Sequence, residues 1–237
     1  MTTPFVVAHP RVTGFLLLLP VPLGLLGSLS SRQIVPGDAA ATADNILASE
    51  SVFRLGVLCT LGLLTADAIL LTLVFYPLLR PVNRNLAVLM AALNLLGVAI
   101  AMLNEVSQLA VPLMLRDPAV PPAQSRSLVF LLLDIHDTGS LIAGIFWGLW
   151  LVPYAMLVYR SGFLPRFFAA LLLVECLGFL TQSLGGLLSP DLSDDLASLP
   201  AVTSLVELFL PVWLLVRGLN VERWNRHALQ GQALAGS

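Results

Sequence analysis

Six long apolar runs dominate the sequence, and each is near the length that a helix needs to cross a lipid bilayer. They cover about residues 12–30, 55–79, 86–107, 139–159, 167–187 and 201–218. A hydrocarbon core about 30 Å thick is spanned by roughly 20 apolar residues in a helix. Hydrocarbon offers no partner to backbone polar groups, so uninterrupted Leu, Ala and Val runs form helices there. We therefore predict an all-α polytopic membrane protein, a single domain over residues 1–237 with six transmembrane helices.

The composition argues against two other classes of protein. Hydrophobic residues make up 57% and charged residues 11% of the 237 positions, whereas a soluble domain carries about 25% charged residues. The formal net charge of −2 leaves no basic surface for a nucleic-acid backbone, so no nucleic-acid partner is expected. Cys59 and Cys176 each lie inside an apolar run, which predicts neither a disulfide nor a metal site. No cofactor is predicted.

The first apolar run begins after a basic residue, as a secretory signal does. It extends for about 19 residues from Val12 to Ser30, whereas the apolar core of a signal peptide has about 7 to 15 residues and ends at a small-x-small site. We expect this run to be retained as the first span.

The arginines predict the orientation. If the connections alternate between the two sides, eight arginines fall on one side and four on the other, where they are interleaved with acids. The first set is Arg11, Arg80, Arg84, Arg160, Arg166, Arg217, Arg223 and Arg226, and the second is Arg32, Arg54, Arg116 and Arg126. The positive-inside rule then places both termini in the cytoplasm and favours an even number of spans.

The outer connections are long. Pro36-Gly37 predicts a turn, and Asp38 is suited to cap a loop helix over residues 39–50, although a ligand contact is the alternative for its carboxylate. The apolar pattern also runs past the third span to residue 115 and precedes the fourth span at 128–133, which predicts a small apolar lid. A helix over 86–115 would be about 45 Å long, so it must tilt, bend at Pro112 or protrude. The tail 220–232 predicts a short anchoring helix at the membrane surface.

Ionisable residues at membrane depth are the strongest functional signal, because each is costly in hydrocarbon unless it is paired, protonated or facing a polar cavity. Counting from the inner arginines places Glu175 and Glu207 near the midplane and Asp67 somewhat outward of it. Further polar residues, among them Asn104 and Gln182, line the path outward. These residues predict an outward-facing polar cleft with Arg54 at its mouth as the nearest counter-ion. The candidate ligand or ion-binding residues are Arg54, Asp67, Asn94, Glu105, Asp134, His136, Asp137, Glu175 and Glu207. The alternative for each deep acid is a hydrogen bond that only joins two helices.

His136 between Asp134 and Asp137 invites a metal or acid–base interpretation. On a continuous helix His136 is rotated by about 200° from Asp134, so one face cannot present all three side chains. A break at Thr138-Gly139 would relax this restriction. One histidine is few for zinc, so a hydrogen-bonding cluster is preferred and no metal is predicted. The sequence has no G-x-S-x-G motif and no glycine-rich phosphate loop.

Several short segments together are similar to one known family. They are Pro36-Gly37-Asp38, Asn45-Ile46-Leu47, Phe53-Arg54-Leu55-Gly56, the turn from Tyr159 to Arg166, and Glu207 with Trp213-Leu214-Leu215 and Gly218. The chain resembles the bacterial membrane family called domain of unknown function 4386 over nearly its whole length. The resemblance implies a single-domain protein of the bacterial inner membrane and implies no activity or catalytic residue.

Three functions remain open. The first is a non-enzymatic protein that binds or transports a small solute, a lipid or an ion, with a homodimer expected because six helices are few for a full transporter. The second is a passive module that stabilises or regulates a membrane partner complex. The third is an intramembrane lipid-acting enzyme that uses Glu105, Asp134 and His136 near the headgroups. The first is preferred, so no catalytic residue is predicted.

Overall fold

The structure, a computed structural model, describes residues 4–189 and 204–235. No strand is present in these two ranges, which confirms the all-α prediction. The helices are α1 (Phe5–Ala8), α2 (Pro10–Leu18), α3 (Val21–Ser31), α4 (Ala39–Ala48), α5 (Glu50–Leu70), α6 (Tyr76–Leu79), α7 (Arg84–Arg116), α8 (Pro122–Ser161), α9 (Arg166–Leu188), α10 (Phe209–Val216) and α11 (Val221–Ala235). A π-helical segment, Leu71–Phe75, joins α5 to α6, and a 3-10 turn, Ser204–Leu208, precedes α10.

Five stretches of the described chain are long and apolar enough to cross a membrane. They are Pro10–Ser31, Glu50–Leu79, Arg84–Arg116, Gln124–Ser161 and Arg166–Leu188. The sixth predicted span, 201–218, overlaps a shorter apolar helix, Val206–Val216, and residues 201–203 lie outside the described residues. The chain is therefore a helical, multi-pass membrane protein by length and apolarity, while the count of six stays a prediction.

The helices extend well beyond the predicted spans. Helix α7 has 33 residues with Pro112 inside it, and α8 has 40 residues, or about 50 Å and 60 Å. Helix α8 runs through Thr138 and Gly139 without a break, so the break considered there is wrong. The segment 122–138, which precedes the predicted fourth span, belongs to the same continuous helix.

The chain divides into two compact units. Unit 1 consists of the described parts of Met1–Leu19, Ala68–Gly97 and Ala143–Ser237, and unit 2 consists of Pro20–Asp67 and Val98–Ile142. Helices α5, α7 and α8 contribute residues to both units.

In unit 1, α2 packs closely against α10. A Cβ added at Gly14 would lie 2.6 Å from the backbone oxygen of Pro211 and 2.9 Å from the backbone nitrogen of Leu215. Backbone atoms cannot move aside as a flexible side chain does, so only glycine permits this approach. Around this contact, large side chains such as Leu78, Leu151 and Leu214 are fully buried.

In unit 2, α4 and the extended parts of α7 and α8 share a small core. The carboxylate oxygen Oδ1 of Asp38 accepts a hydrogen bond of 2.9 Å from the backbone N–H of Ala41, which confirms the predicted cap, and Gly37 adopts φ +74°. The buried core residues are Ile46, Phe53, Val57, Val111, Val129 and Leu133. The residues predicted to form a lid are thus packed against the loop helix.

Candidate functional site

The most deeply buried acid of unit 1 faces a second acid. Glu175 lies on the α9 face that also buries Leu172 and Cys176, and its side chain is 0% exposed. Glu207 is in the 3-10 turn before α10, and its carboxyl group is close enough to that of Glu175 for the two to interact electrostatically. Neither carboxyl oxygen of Glu175 has a hydrogen-bond partner of good geometry among the described residues. The structure therefore brings together the two acids predicted near the midplane, Glu175 and Glu207.

A tyrosine hydroxyl belongs to the same site. Tyr154 of α8 is 3% exposed, its hydroxyl is buried without a hydrogen-bond partner in the described chain, and it interacts electrostatically with both Glu175 and Glu207. The buried carboxyl group of Glu175, the buried phenol of Tyr154 and the carboxyl group of the exposed Glu207 thus lie close together in unit 1. We refer to Tyr154, Glu175 and Glu207 as the carboxyl site.

Aromatic rings fix the position of this hydroxyl. The Tyr154 ring stacks on Trp150 with centroids 5.2 Å apart, and it meets the edges of Phe75 at 5.5 Å and Phe168 at 6.0 Å. A ring held on three sides has little freedom to turn its hydroxyl away. Sequence reasoning missed Tyr154, although a tyrosine inside an apolar run carries a polar group that needs a partner.

Asn94 and Asp67 are the other candidates predicted to line a cleft with these acids. Asn94 belongs to unit 1, is buried, and has an amide oxygen without a partner among the described residues. Asp67 belongs to unit 2, is half-buried and has an interaction of its own. A cleft shared by Asp67 and the carboxyl site therefore stays a prediction.

The side-chain amide of Asn104 contacts His136. The side-chain nitrogen of Asn104 donates a 2.7 Å hydrogen bond to the backbone oxygen of His136 and lies 3.3 Å from His136 Nδ1 and 3.2 Å from Ser140 Oγ. A Cβ at Gly139 would overlap the Asn104 amide, so glycine permits this contact between α7 and α8. The preferred interpretation, a hydrogen-bonding cluster around His136, describes this arrangement.

The two aspartates flanking His136 point elsewhere. Asp134 and Asp137 are exposed while His136 is half-buried, as the rotation along a continuous helix requires. No group of three or more His, Cys, Asp or Glu residues suited to a metal ion occurs in the described part of the chain.

A second pair of buried polar residues lies on α7 in unit 2. Glu105 and Gln108 are each 5% exposed, and one oxygen of each lacks a hydrogen-bond partner among residues 4–189 and 204–235. They are three residues apart and so share a helix face. Gln108 was missed by sequence reasoning, although its spacing from Glu105 was a usable signal.

Arg54 is paired with an acid of its own helix. Its Nε donates a 2.7 Å hydrogen bond to Glu50 Oε1, one turn earlier on α5, and Arg116 forms an ion pair with the same carboxylate. Glu50 is thus the partner of Arg54 among the described residues, and a role of Arg54 as counter-ion at the mouth of a cleft stays a prediction.

The family model "Domain of unknown function (DUF4386)" matches residues 12–218. The chain belongs to this family. The match confirms the resemblance and covers every candidate residue of this DUF4386 protein, including the whole carboxyl site. No curated protein and no solved structure matches the chain.

Proposed function

We propose that this DUF4386 protein is a non-enzymatic, transport-type membrane protein that binds a small cation at the carboxyl site. The preferred cation is a proton. The observation that carries the proposal is a fully buried Glu175 facing Glu207 beside the unpartnered hydroxyl of Tyr154. The carboxylate of the buried Glu175 loses hydration and is repelled by the nearby carboxylate of the exposed Glu207, so a positive charge between them is favourable. A shared proton is the smallest such charge.

The chemistry of the site suits proton exchange. With one acid protonated, its O–H donates to the other carboxylate, and the Tyr154 O–H donates to a remaining carboxyl oxygen. Loss of the proton leaves two negative charges, and one monovalent cation in its place would restore the single net negative charge that the singly protonated pair carries. Four carboxyl oxygens and one phenol oxygen are hard donors of the kind that alkali and alkaline-earth ions use.

The proposal includes an orientation. We propose six spans with both termini in the cytoplasm, in the inner membrane of a bacterium, and the contacts between the two ends of unit 1 support termini on one side. Helix α1 packs against α6, and Trp224 of α11 donates a hydrogen bond to Leu78 of α6. Chain ends that meet at one helix end require an even number of crossings. A homodimer is proposed as well, because six helices are few for a complete transport path.

The experiment measures proton uptake by the purified full-length protein in liposomes that enclose a pH-sensitive dye. We expect Glu175→Gln and Glu207→Gln to abolish uptake, while Glu222→Gln, at an exposed acid of α11, leaves it unchanged. Infrared difference spectra give a second readout, since the carbonyl band of a protonated acid should disappear in Glu175→Gln. Uptake by both site variants equal to that of the unchanged protein at every pH would refute the proposal.

A further inference from the structure

All eight arginines of unit 1 are exposed. They are Arg11, Arg80, Arg84, Arg160, Arg166, Arg217, Arg223 and Arg226. The described acids of unit 1 are the site pair and Glu222, and none of the eight arginines forms an ion pair with a described acid. The net charge of −2 does not show this segregation, because it is a sum over the whole chain. The absence of a nucleic-acid partner stays a prediction.

Contacts within unit 1 bring many of these arginines to one end. Trp224 binds the backbone oxygen of Leu78 at 2.9 Å, which brings α11 to the segment that leads to Arg80. Arg223 donates a 2.6 Å hydrogen bond to the backbone oxygen of Gly162, in the turn between Arg160 and Arg166.

A second contact adds the N-terminal part of the chain to this end. Gly218 faces the ring of Pro10, which brings Arg217 close to Arg11. We call this end, with its eight arginines, the arginine face. Its charges are gathered by tertiary packing and not by sequence proximity alone.

Three arginines of unit 2 lie next to acids. Arg54 and Arg116 share Glu50, and Arg126 lies 3.7 Å from Asp44. Positive charge in unit 2 is thus largely balanced inside the protein, whereas that of the arginine face is not. Like charges held together repel each other at distances within a Debye length, about 8 Å at physiological salt. The arrangement is favourable when external anions occupy the face.

We infer that the arginine face binds the phosphate groups of anionic phospholipids. Its arginines lie where the long apolar helices end, which is headgroup depth for a membrane-spanning helix. A guanidinium matches phosphate oxygens with two parallel hydrogen bonds. Helix α11 also exposes Val221 and Leu229 beside Arg226, and apolar next to basic residues are typical of a helix that lies in the interface. A soluble polyanion would make no use of these apolar residues.

The experiment compares lipid binding by the full-length protein in detergent, using native mass spectrometry. Phosphatidylglycerol and phosphatidylcholine are titrated separately at low and at physiological salt. Each basic residue near an anionic surface contributes about 1 kcal/mol, so Arg80→Gln/Arg226→Gln should weaken phosphatidylglycerol binding by roughly 30-fold. The matched control, Arg32→Gln/Arg126→Gln, makes the same charge change in unit 2 and should leave the affinity within about twofold.

Several outcomes would overturn the inference. Equal binding of both lipids, or equal loss in the control variant, means that the face has no preference for anionic headgroups. Competition by single-stranded RNA or by inorganic phosphate at the lipid concentration means that the face binds any phosphate. Arg32, Arg80 and Arg226 are exposed, and Arg126 is half-exposed beside Asp44, so the unfolding temperature of each variant without lipid should stay close to that of the unchanged protein. The lipid titration then reports binding.

Discussion

The indole N–H of Trp224 donates a 2.9 Å hydrogen bond to the backbone oxygen of Leu78, a residue 146 positions earlier in the chain. Leu78 is in the last turn of α6, where helix carbonyls have no partner within the helix. Arg223 and His227 contact the carbonyls of Gly162 and Ser161, at 2.6 Å and 3.0 Å. Helix α11 therefore caps two helix ends from outside, in addition to its predicted role as an anchor.

Replacing Trp224 with Phe keeps a buried ring and removes this hydrogen bond. The carbonyl of Leu78 is then left without its donor, so we expect the free energy of unfolding to fall by about 1 to 3 kcal/mol. Thermal unfolding in detergent measures the change. Trp213→Phe, at a half-buried tryptophan of α10, is the control and should cost less. An equal loss in both variants would mean that ring size, and not the hydrogen bond, matters.

Gly14→Ala should separate α2 from α10. Its Cβ would meet the backbone of Pro211 and Leu215, and overpacking of this kind costs about 1 to 3 kcal/mol. Gly24→Ala is the matched control, because its Cβ would meet only the Leu63 side chain at an ordinary 3.5 Å. We expect a lower unfolding temperature for the first variant and an unchanged or slightly higher one for the second, since alanine favours a helix. A stable Gly14→Ala protein would contradict the close packing of α2 on α10.

Gly139→Ala should disturb the contact between α7 and α8 in unit 2. The added methyl overlaps the Asn104 amide, so we expect a loss of about 1 to 3 kcal/mol. A double-mutant cycle with Asn104→Ala provides the test, because the methyl has room once the amide is removed. The two changes should be strongly non-additive, with a coupling of about 0.5 to 3 kcal/mol. Simple additivity would show that the two residues do not touch.

Tyr154→Phe should separate stability from function. The ring contacts remain, and a buried hydroxyl without a partner is removed, so the unfolding temperature should stay the same or rise. Proton uptake by the liposome assay should fall, because the phenol, unpartnered in the described structure, can no longer donate to a carboxylate when the site exchanges its proton. A protein that keeps full uptake would exclude Tyr154 from the carboxyl site, and one that loses stability would show that the hydroxyl has a partner.

Single cysteines test the orientation. In a Cys59→Ala/Cys176→Ala background, Ala48→Cys in α4 and Asn225→Cys in α11 both offer exposed positions. In intact bacterial cells with a permeable outer membrane, an impermeant maleimide should label the first cysteine, and it should label the second only after lysis. Labelling of both in intact cells would contradict cytoplasmic termini.

Apolar run length predicts the helices well and their ends poorly. The length of an apolar run shows which residues must be helical inside a bilayer. Helices α7 and α8 continue beyond those residues because their extensions pack against α4, which is a tertiary effect. Pro112 and Gly139, which predict a bend or a break, are tolerated within long packed helices. Depth counting from the arginines places Glu175 and Glu207 at a similar level, and their carboxyl groups lie close enough to interact. It could not reveal Tyr154, because aromatic residues in apolar runs are equally typical of lipid-facing surfaces.

The π-helical segment Leu71–Phe75 amounts to one extra residue accommodated within a helix. An α-helix rotates by about 100° per residue, so everything after the extra residue points in a different direction from that of a regular helix. Phe75 is at the end of this segment, where its ring meets Tyr154. A single-residue deletion upstream of Phe75 would restore a regular helix and turn its ring away, which removes one of the three aromatic contacts that hold the Tyr154 ring. An insertion or a deletion at this point would thus change the surroundings of the carboxyl site without substituting any of its three residues.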